Sequence, residues 1–328
     1  MEYVKLGRSG LKVSKLILGC MTFGSPRVAP WYLDEAASVP FFERALDLGF
    51  NVFDTADAYS FGDSEVITGK LLNRMRKRHE VVIATKCFWP MSDGPNDRGL
   101  SRKHLMESVD ASLKRLGTDY IDLYQIHRFD RQTPLEETLD ALNDMVRAGK
   151  VLYLGASSMY AWQFMKALAM QRAHGWAEFV SMQPHYNLIY REEEREMLPL
   201  CREEGIGFIP WSPLARGLLA GRMVNEETAS VRAGSDPQLK NLYGDSAAQD
   251  GAIVAALRRV ADRHGRPPAQ IAYAWVASRP GVTAPIVGIS KMHQFDDAIA
   301  ALEVRLSAED VAELEAPYRP KPVAGALQ

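Results

Sequence analysis

The strongest constraint on this chain is a beat: eight short β-like runs alternate with longer amphipathic stretches, and few folds can absorb that pattern. The β-like runs cover 16–18, 50–53, 81–85, 122–126, 151–155, 179–183, 207–210 and 285–288. Helical patterns lie between them at 35–48, 63–77, 102–116, 135–148, 161–174 and 192–203. Five of these end beside Gly49, Gly117, Gly149, Gly175 or Gly205, and glycine is the residue that most readily closes a helix in the left-handed conformation. Most strands are about 30 residues apart, the length of one βα unit. Strict alternation favours an α/β fold of the (β/α)8 TIM barrel type over a doubly wound sheet. No Gly-x-Gly-x-x-Gly follows the first run, which argues against a Rossmann domain. The expectation is one barrel domain over 1–328. An N-terminal β-hairpin over 3–14, turning at Gly7-Arg8-Ser9-Gly10, closes its bottom, and a long polar loop over 222–247 follows the seventh strand.

Composition narrows the partners. A net charge of −2 gives no electrostatic reason to bind nucleic acid or an anionic membrane. Cys20, Cys87 and Cys201 are scattered and odd in number, which reads as free thiols in a reducing compartment. No apolar signal core opens the chain, and no run of about 20 apolar residues could span a bilayer. The expectation is a cytoplasmic protein acting on a small molecule, with association into a homo-oligomer left open.

Four residues stand at or just past strand ends: Asp54, Tyr59, Lys86 and His127. Parallel strands deliver such residues to one rim. A phenol serves as a general acid when a nearby ammonium stabilises its phenolate, and a carboxylate can hold that ammonium in place. An imidazole beside them can hydrogen-bond a carbonyl oxygen. Taken singly, each residue has an ordinary structural reading as a cap or a solvated side chain; together they equip a site to protonate a carbonyl. Side chains supply no hydride, so a cofactor is required. The later strand ends offer Ser157 and Gln183 for a carboxamide and Trp211 for a planar ring. Gly288, Ser290 and Lys291 precede a helix and suit a phosphate. That set suggests a dinucleotide. Trp31, Tyr32, Phe88, Trp89 and Phe129 are candidate substrate walls or simple loop packing. Arg128 either recognises an anionic substrate or pairs with an acid such as Asp130. No His-x-His pair marks the strand ends, so no metal site is expected.

With these motifs the chain resembles the aldo-keto reductase superfamily. The matching stretches are Asp54-Thr55-Ala56-Asp57-Ala58-Tyr59, Thr85-Lys86, the run from Asp119 to His127, Gly155-Ala156-Ser157-Ser158, Trp211-Ser212-Pro213-Leu214 and Gly288-Ile289-Ser290-Lys291. The resemblance covers about Gly7 to Leu302 and looks closest to the aryl-alcohol-dehydrogenase-like branch, which neighbours the potassium-channel β-subunits. It implies NADPH-dependent, reversible reduction of an aldehyde or ketone, with NADPH/NADP+ bound without a Rossmann fold. By the resemblance, Tyr59 is the proton donor, Lys86 and Asp54 tune it, and His127 orients the carbonyl. Ser157, Gln183 and Trp211 hold the nicotinamide, and Ser212, Pro213, Leu214, Ala215 and Arg222 flank the pyrophosphate. Arg232 reaches the adenosine end, Ser290 and Lys291 meet the 2′-phosphate, and Gln294 and Asp297 lie near the adenine. Three positions depart from the pattern: Ser158 and Ala298 stand where many members carry Asn, and Gln294 where some carry Arg. A rival reading is a nicotinamide-cofactor-binding regulatory subunit of a membrane protein, since some channel β-subunits keep the same four residues. The lack of a long segment ahead of the barrel weighs against it.

Overall fold

A computed structural model describes residues 1–220, 242–243 and 247–323. Arg222, Arg232 and most of the expected long loop lie outside the described residues. The chain opens with an antiparallel hairpin, β1 (Tyr3–Lys5) and β2 (Lys12–Ser14), in which Tyr3 faces Ser14. Then the alternation begins: β3 (Ile17–Gly19), α1 (Glu35–Asp47), β4 (Val52–Asp54), α2 (Asp63–Met75), β5 (Val82–Cys87), α3 (Arg102–Leu116) and β6 (Ile121–Ile126). It continues through α4 (Leu135–Arg147), β7 (Val151–Ser157), α5 (Ala161–His174), β8 (Phe179–Gln183), α6 (Met197–Glu203) and β9 (Gly207–Phe208). The described chain then gives α7 (Ala247–His264), α8 (Pro268–Ser278), β10 (Ile286–Gly288), α9 (His293–Ala301) and α10 (Ala308–Glu315).

The sheet runs in the order β10-β3-β4-β5-β6-β7-β8-β9, and every pairing is parallel. Its two ends meet: Thr283 donates its N–H to the Phe208 carbonyl at 2.8 Å, and Ile286 to that of Pro210 at 2.9 Å. The result is a closed (β/α)8 barrel. Closure explains why β5 and β6 are buried at every position, since helices cover the outer face and other strands fill the inner one. The helix ends follow local chemistry. Ser101 caps α3 by accepting the His104 N–H at 3.3 Å, and α3 stops at Gly117, whose φ of +61° a side chain would oppose.

One expected helix is broken. The pattern over 192–203 forms a single 3-10 turn, Glu192–Glu194, before α6 begins at Met197. Glu192 accepts the Tyr318 hydroxyl and the Lys321 N–H, both at 2.6 Å, while Glu194 accepts the Tyr186 hydroxyl at 2.6 Å. These long-range bonds outweigh the helical preference of three successive glutamates.

The hairpin plugs the barrel floor. Leu6 and Val13 pack against Ile17, Val52, Val82, Leu123 and Ile209 inside the strands. Leu6 is 1% exposed, so Leu6→Ala is expected to cost about 2–5 kcal/mol. Urea unfolding measures that loss; a change below about 0.5 kcal/mol, the range of ordinary surface substitutions, would show that the floor does not depend on the hairpin.

Candidate active site

All eight barrel strands point the same way, so their C-terminal ends gather polar residues on one rim. Asp54 ends β4, Lys86 is the penultimate residue of β5, and His127 follows β6 directly. Ser157 and Gln183 end β7 and β8. Tyr59 opens a short turn between β4 and α2. Backbone strain collects on the same rim. Among the described residues, the non-glycine positions with positive φ are Ser60, Phe61, Ser158, Ser212, Ala215 and Arg216, and all lie on loops leaving it. Such conformations persist where surrounding structure over-determines them, and functional sites are the usual place.

Lys86 is fully buried at 0% exposure. Its ammonium donates to Asp54 Oδ2 at 2.6 Å and to the Thr55 carbonyl at 2.7 Å. It also lies 5.0 Å from the centre of the Tyr59 ring and interacts with the Tyr59 hydroxyl. Burial alone would lower the lysine pKa, but Asp54 and Tyr59 outweigh it and hold the group above its usual value. The other oxygen of Asp54 accepts side-chain amides from Gln125 and Gln183, each at 2.9 Å. His127 stands 5.8 Å from Tyr59, ring centre to ring centre, at 78°. Burial, reinforced by the charges of Arg128 and Lys86, pushes its pKa well below the usual histidine value, so the imidazole is neutral at pH 7. Its Nδ1 is buried without a hydrogen-bond partner.

The expected cofactor residues line the far side of the rim. The Ser157 hydroxyl donates to the Gln183 carbonyl at 2.7 Å. Trp211 stacks one face on His185 at 4.3 Å, and His185 stacks in turn on Tyr190 at 4.4 Å. The Trp211 indole N–H is anchored on Ser158 Oγ at 3.0 Å. The Tyr243 hydroxyl closes the stack against His185 Nε2 at 2.6 Å. Asn187 donates to the Ser212 carbonyl at 2.9 Å, fixing the turn that carries Ser212, Pro213, Leu214 and Ala215. A flat ring fits this arrangement, because Trp211 is only half-buried and, among the described residues, His185 is the one ring stacked on it. At the end of β10 a Cβ on Gly288 would meet nothing within 4 Å. Ser290 and Lys291 are exposed beyond it, ahead of α9. The Gln294 carbonyl oxygen accepts the N–H groups of Ser290 at 2.7 Å and Lys291 at 2.9 Å. Asp297 accepts a side-chain amide from Gln270 at 3.0 Å. An anion at the Ser290 and Lys291 amides must therefore displace the Gln294 side chain.

Several contributors were not legible as site residues. Gln125 sat inside a strand motif with nothing to mark it, and Tyr243 lies far away in sequence. Asp57 lies inside the Asp54–Tyr59 motif with nothing to single it out, yet it is fully buried and one of its carboxylate oxygens has no partner. Its other oxygen accepts the Ala58 N–H at 2.6 Å, one residue before Tyr59. Asp57, Cys87 and His104 bring ligand-type atoms within 4.8 Å of one another. Burial, with the charge of Glu65, raises the Asp57 pKa to about 8. The folded chain therefore binds more protons than the unfolded one between the usual 3.8 and about 8, and stability should fall as pH rises through that window. Asp57→Asn removes the titration while keeping an acceptor for Ala58. The expected result is a gain in thermal stability that is larger at pH 9 than at pH 5; an equal effect at both would contradict it.

Comparison with known proteins agrees with this architecture. The family model described as "Aldo/keto reductase family" matches residues 15–319. The chain is 46% identical to versiconal hemiacetal acetate reductase of Aspergillus parasiticus over 342 residues, covering 98% of each chain. It is 42% identical to an aldo-keto reductase of Fusarium vanettenii, covering 99% of this chain and 93% of the other. It is 43% identical to a Schizosaccharomyces pombe protein provisionally named an aryl-alcohol dehydrogenase, covering 99% and 98%. The chain belongs to the aldo/keto reductase family.

Proposed function

We propose that this member of the aldo/keto reductase family reduces an aldehyde or ketone to an alcohol with NADPH, reversibly, using Tyr59 as the general acid. The observation that carries the reading is the buried Lys86–Asp54 pair at 2.6 Å beside Tyr59, with a neutral His127 facing the same phenol. Tyr59 gives its phenolic proton to the carbonyl oxygen, and the Lys86 ammonium stabilises the phenolate left behind. Asp54 fixes that ammonium. A neutral imidazole offers one N–H, which in the Nε2–H tautomer can hydrogen-bond the same oxygen. When bound, the reduced nicotinamide supplies the hydride. Ser157, Gln183 and Trp211 would hold its ring; Ser212, Pro213, Leu214 and Ala215, with Arg222, would flank the pyrophosphate. Gly288, Ser290 and Lys291 would receive the 2′-phosphate, with Gln294 and Asp297 near the adenine and Arg232 at the adenosine end. Oxidation of NADPH in the presence of a panel of aromatic and aliphatic aldehydes tests the reading, and no carbonyl-dependent oxidation across the panel would overturn it.

Cofactor choice rests on the segment ahead of α9. A hydroxyl, an ammonium and two backbone amides that only the Gln294 side chain occupies all favour the extra charge of a 2′-phosphate. The expected result is a higher kcat/KM for NADPH than for NADH, with a smaller gap in Lys291→Ala. Because Gln294 covers the amides, Gln294→Ala should lower the KM for NADPH and leave that for NADH nearly unchanged. Equal efficiency with both cofactors in the wild-type protein would contradict this assignment.

A further inference from the structure

We propose that Arg128 forms an anion subsite that selects carbonyl substrates bearing a carboxylate. The inference rests on the carbonyl-reductase reading and names the substrate class of the same site. Arg128 follows His127 directly, and its guanidinium carbon lies 5.4 Å from the centre of the Trp89 ring. Trp89 is 6.3 Å from the His127 ring, which is 5.8 Å from Tyr59. The cation therefore belongs to one continuous constellation with the groups that would handle the carbonyl.

No carboxylate among the described residues forms an ion pair with Arg128. Several other half-buried arginines are ion-paired: Arg78 with Asp122 at 2.6 Å, Arg115 with Glu65 at 2.5 Å, Arg191 with Glu194 at 2.7 Å, and Arg279 with Glu315 at 2.9 Å. Asp130, the acid two residues on, is spoken for. It accepts the Leu100 N–H, the Thr133 hydroxyl and the Gln132 N–H, each at 2.8 Å. Arg128 donates to the His127 carbonyl at 2.5 Å, which uses one of the five guanidinium N–H groups. A partly desolvated cation held beside a reacting centre without a counter-ion favours an anion supplied from outside. Burial lowers its pKa to about 10, and Tyr59 opposes that shift. The planar fork of a guanidinium matches a carboxylate in bidentate fashion, and no other side chain does so as well. Trp89, which the guanidinium faces, stands 5.2 Å from the Phe88 ring, and the two rings extend the apolar surface beside the cation. Those rings suit a flat apolar body between the carboxylate and the carbonyl.

The test compares terephthalaldehydic acid with its methyl ester, using the full chain and NADPH. Hydrogen bonds to charged groups predict a kcat/KM about 10- to 100-fold higher for the acid. That ratio should shrink toward about 1 in Arg128→Met, remain intermediate in Arg128→Lys, and narrow in the wild-type protein as salt is added. Because each ratio is taken within one variant, a general loss of turnover cancels. A wild-type ratio near unity, or one that survives Arg128→Met, would overturn the proposal. Should that variant not fold, Arg128→Lys and the salt series decide the matter. Calorimetric binding of benzoate against benzamide to the NADP+ complex separates the two readings. Benzoate preference without carbonyl-dependent NADPH oxidation would retain the anion subsite and sink the reductase reading. Turnover of both aldehydes with no benzoate preference would do the reverse.

Discussion

Tyr59→Phe is expected to lower kcat by about 10²-fold or more, the scale of general acid catalysis, while NADPH affinity stays nearly intact. The reason is geometric. Among the described residues, the phenol is the one acidic hydroxyl placed against both Lys86 and His127. Phenylalanine preserves the ring that packs there and removes only the proton. A loss confined to kcat separates a donor from a substrate-binding group, whose removal would raise KM instead. Single-turnover rates with NADPH and an aromatic aldehyde make the measurement, and cofactor binding is followed by fluorescence titration. Wild-type turnover in this variant would sink the mechanism. A matching fall in cofactor affinity would mean that the hydroxyl serves the ring site and not the carbonyl.

Lys86→Met should damage both turnover and stability. The variant removes the charge that stabilises a Tyr59 phenolate, so kcat should again fall by about 10²-fold or more. It also leaves Asp54, only 3% exposed, with amide donors and no counter-charge. Breaking a buried pair by removing one partner costs about 3–5 kcal/mol. Adding Asp54→Asn should recover most of that stability and none of the turnover, a split that a purely structural ion pair would not produce. The pH dependence has a definite sign. Lys86 is held above the usual 10.5, so the stability it contributes is fully present below about pH 10 and is lost as pH rises through the raised value. Denaturant unfolding of the single and double variants at pH 7.5 measures the loss and the recovery. A stability within about 1 kcal/mol of wild type in Lys86→Met, the scale of an exposed pair, would contradict the buried-pair account.

The barrel was legible because its signals are local. Periodicity and glycine position depend on neighbours a few residues away, so β8 was read over 179–183 and α3 over 102–116 with the boundaries the structure gives. The failure at 192–203 came from the opposite situation, since its carboxylates answer to Tyr186, Tyr318 and Lys321 and not to one another. The gathering of Asp54, Tyr59, Lys86 and His127 was legible for a related reason: parallel strands of a closed barrel must bring their ends to one rim.

How those groups are connected lay beyond any local rule. Asp54 draws Gln125 from 71 positions away and Gln183 from 129, and side-chain amides in strands give no sign of which carboxylate they will reach. The sequence allows Arg128 a pairing with Asp130, and only the structure shows Asp130 bound instead to Leu100, Gln132 and Thr133. Gln294, expected near the adenine, turned back onto the amides of Ser290 and Lys291. Sequence alone determined which residues reach the rim, because strand period and helix punctuation are properties of short stretches. Tertiary structure decided which donor meets which acceptor there, because a hydrogen bond depends on tenths of an ångström between side chains that the chain brings together only by closing the barrel.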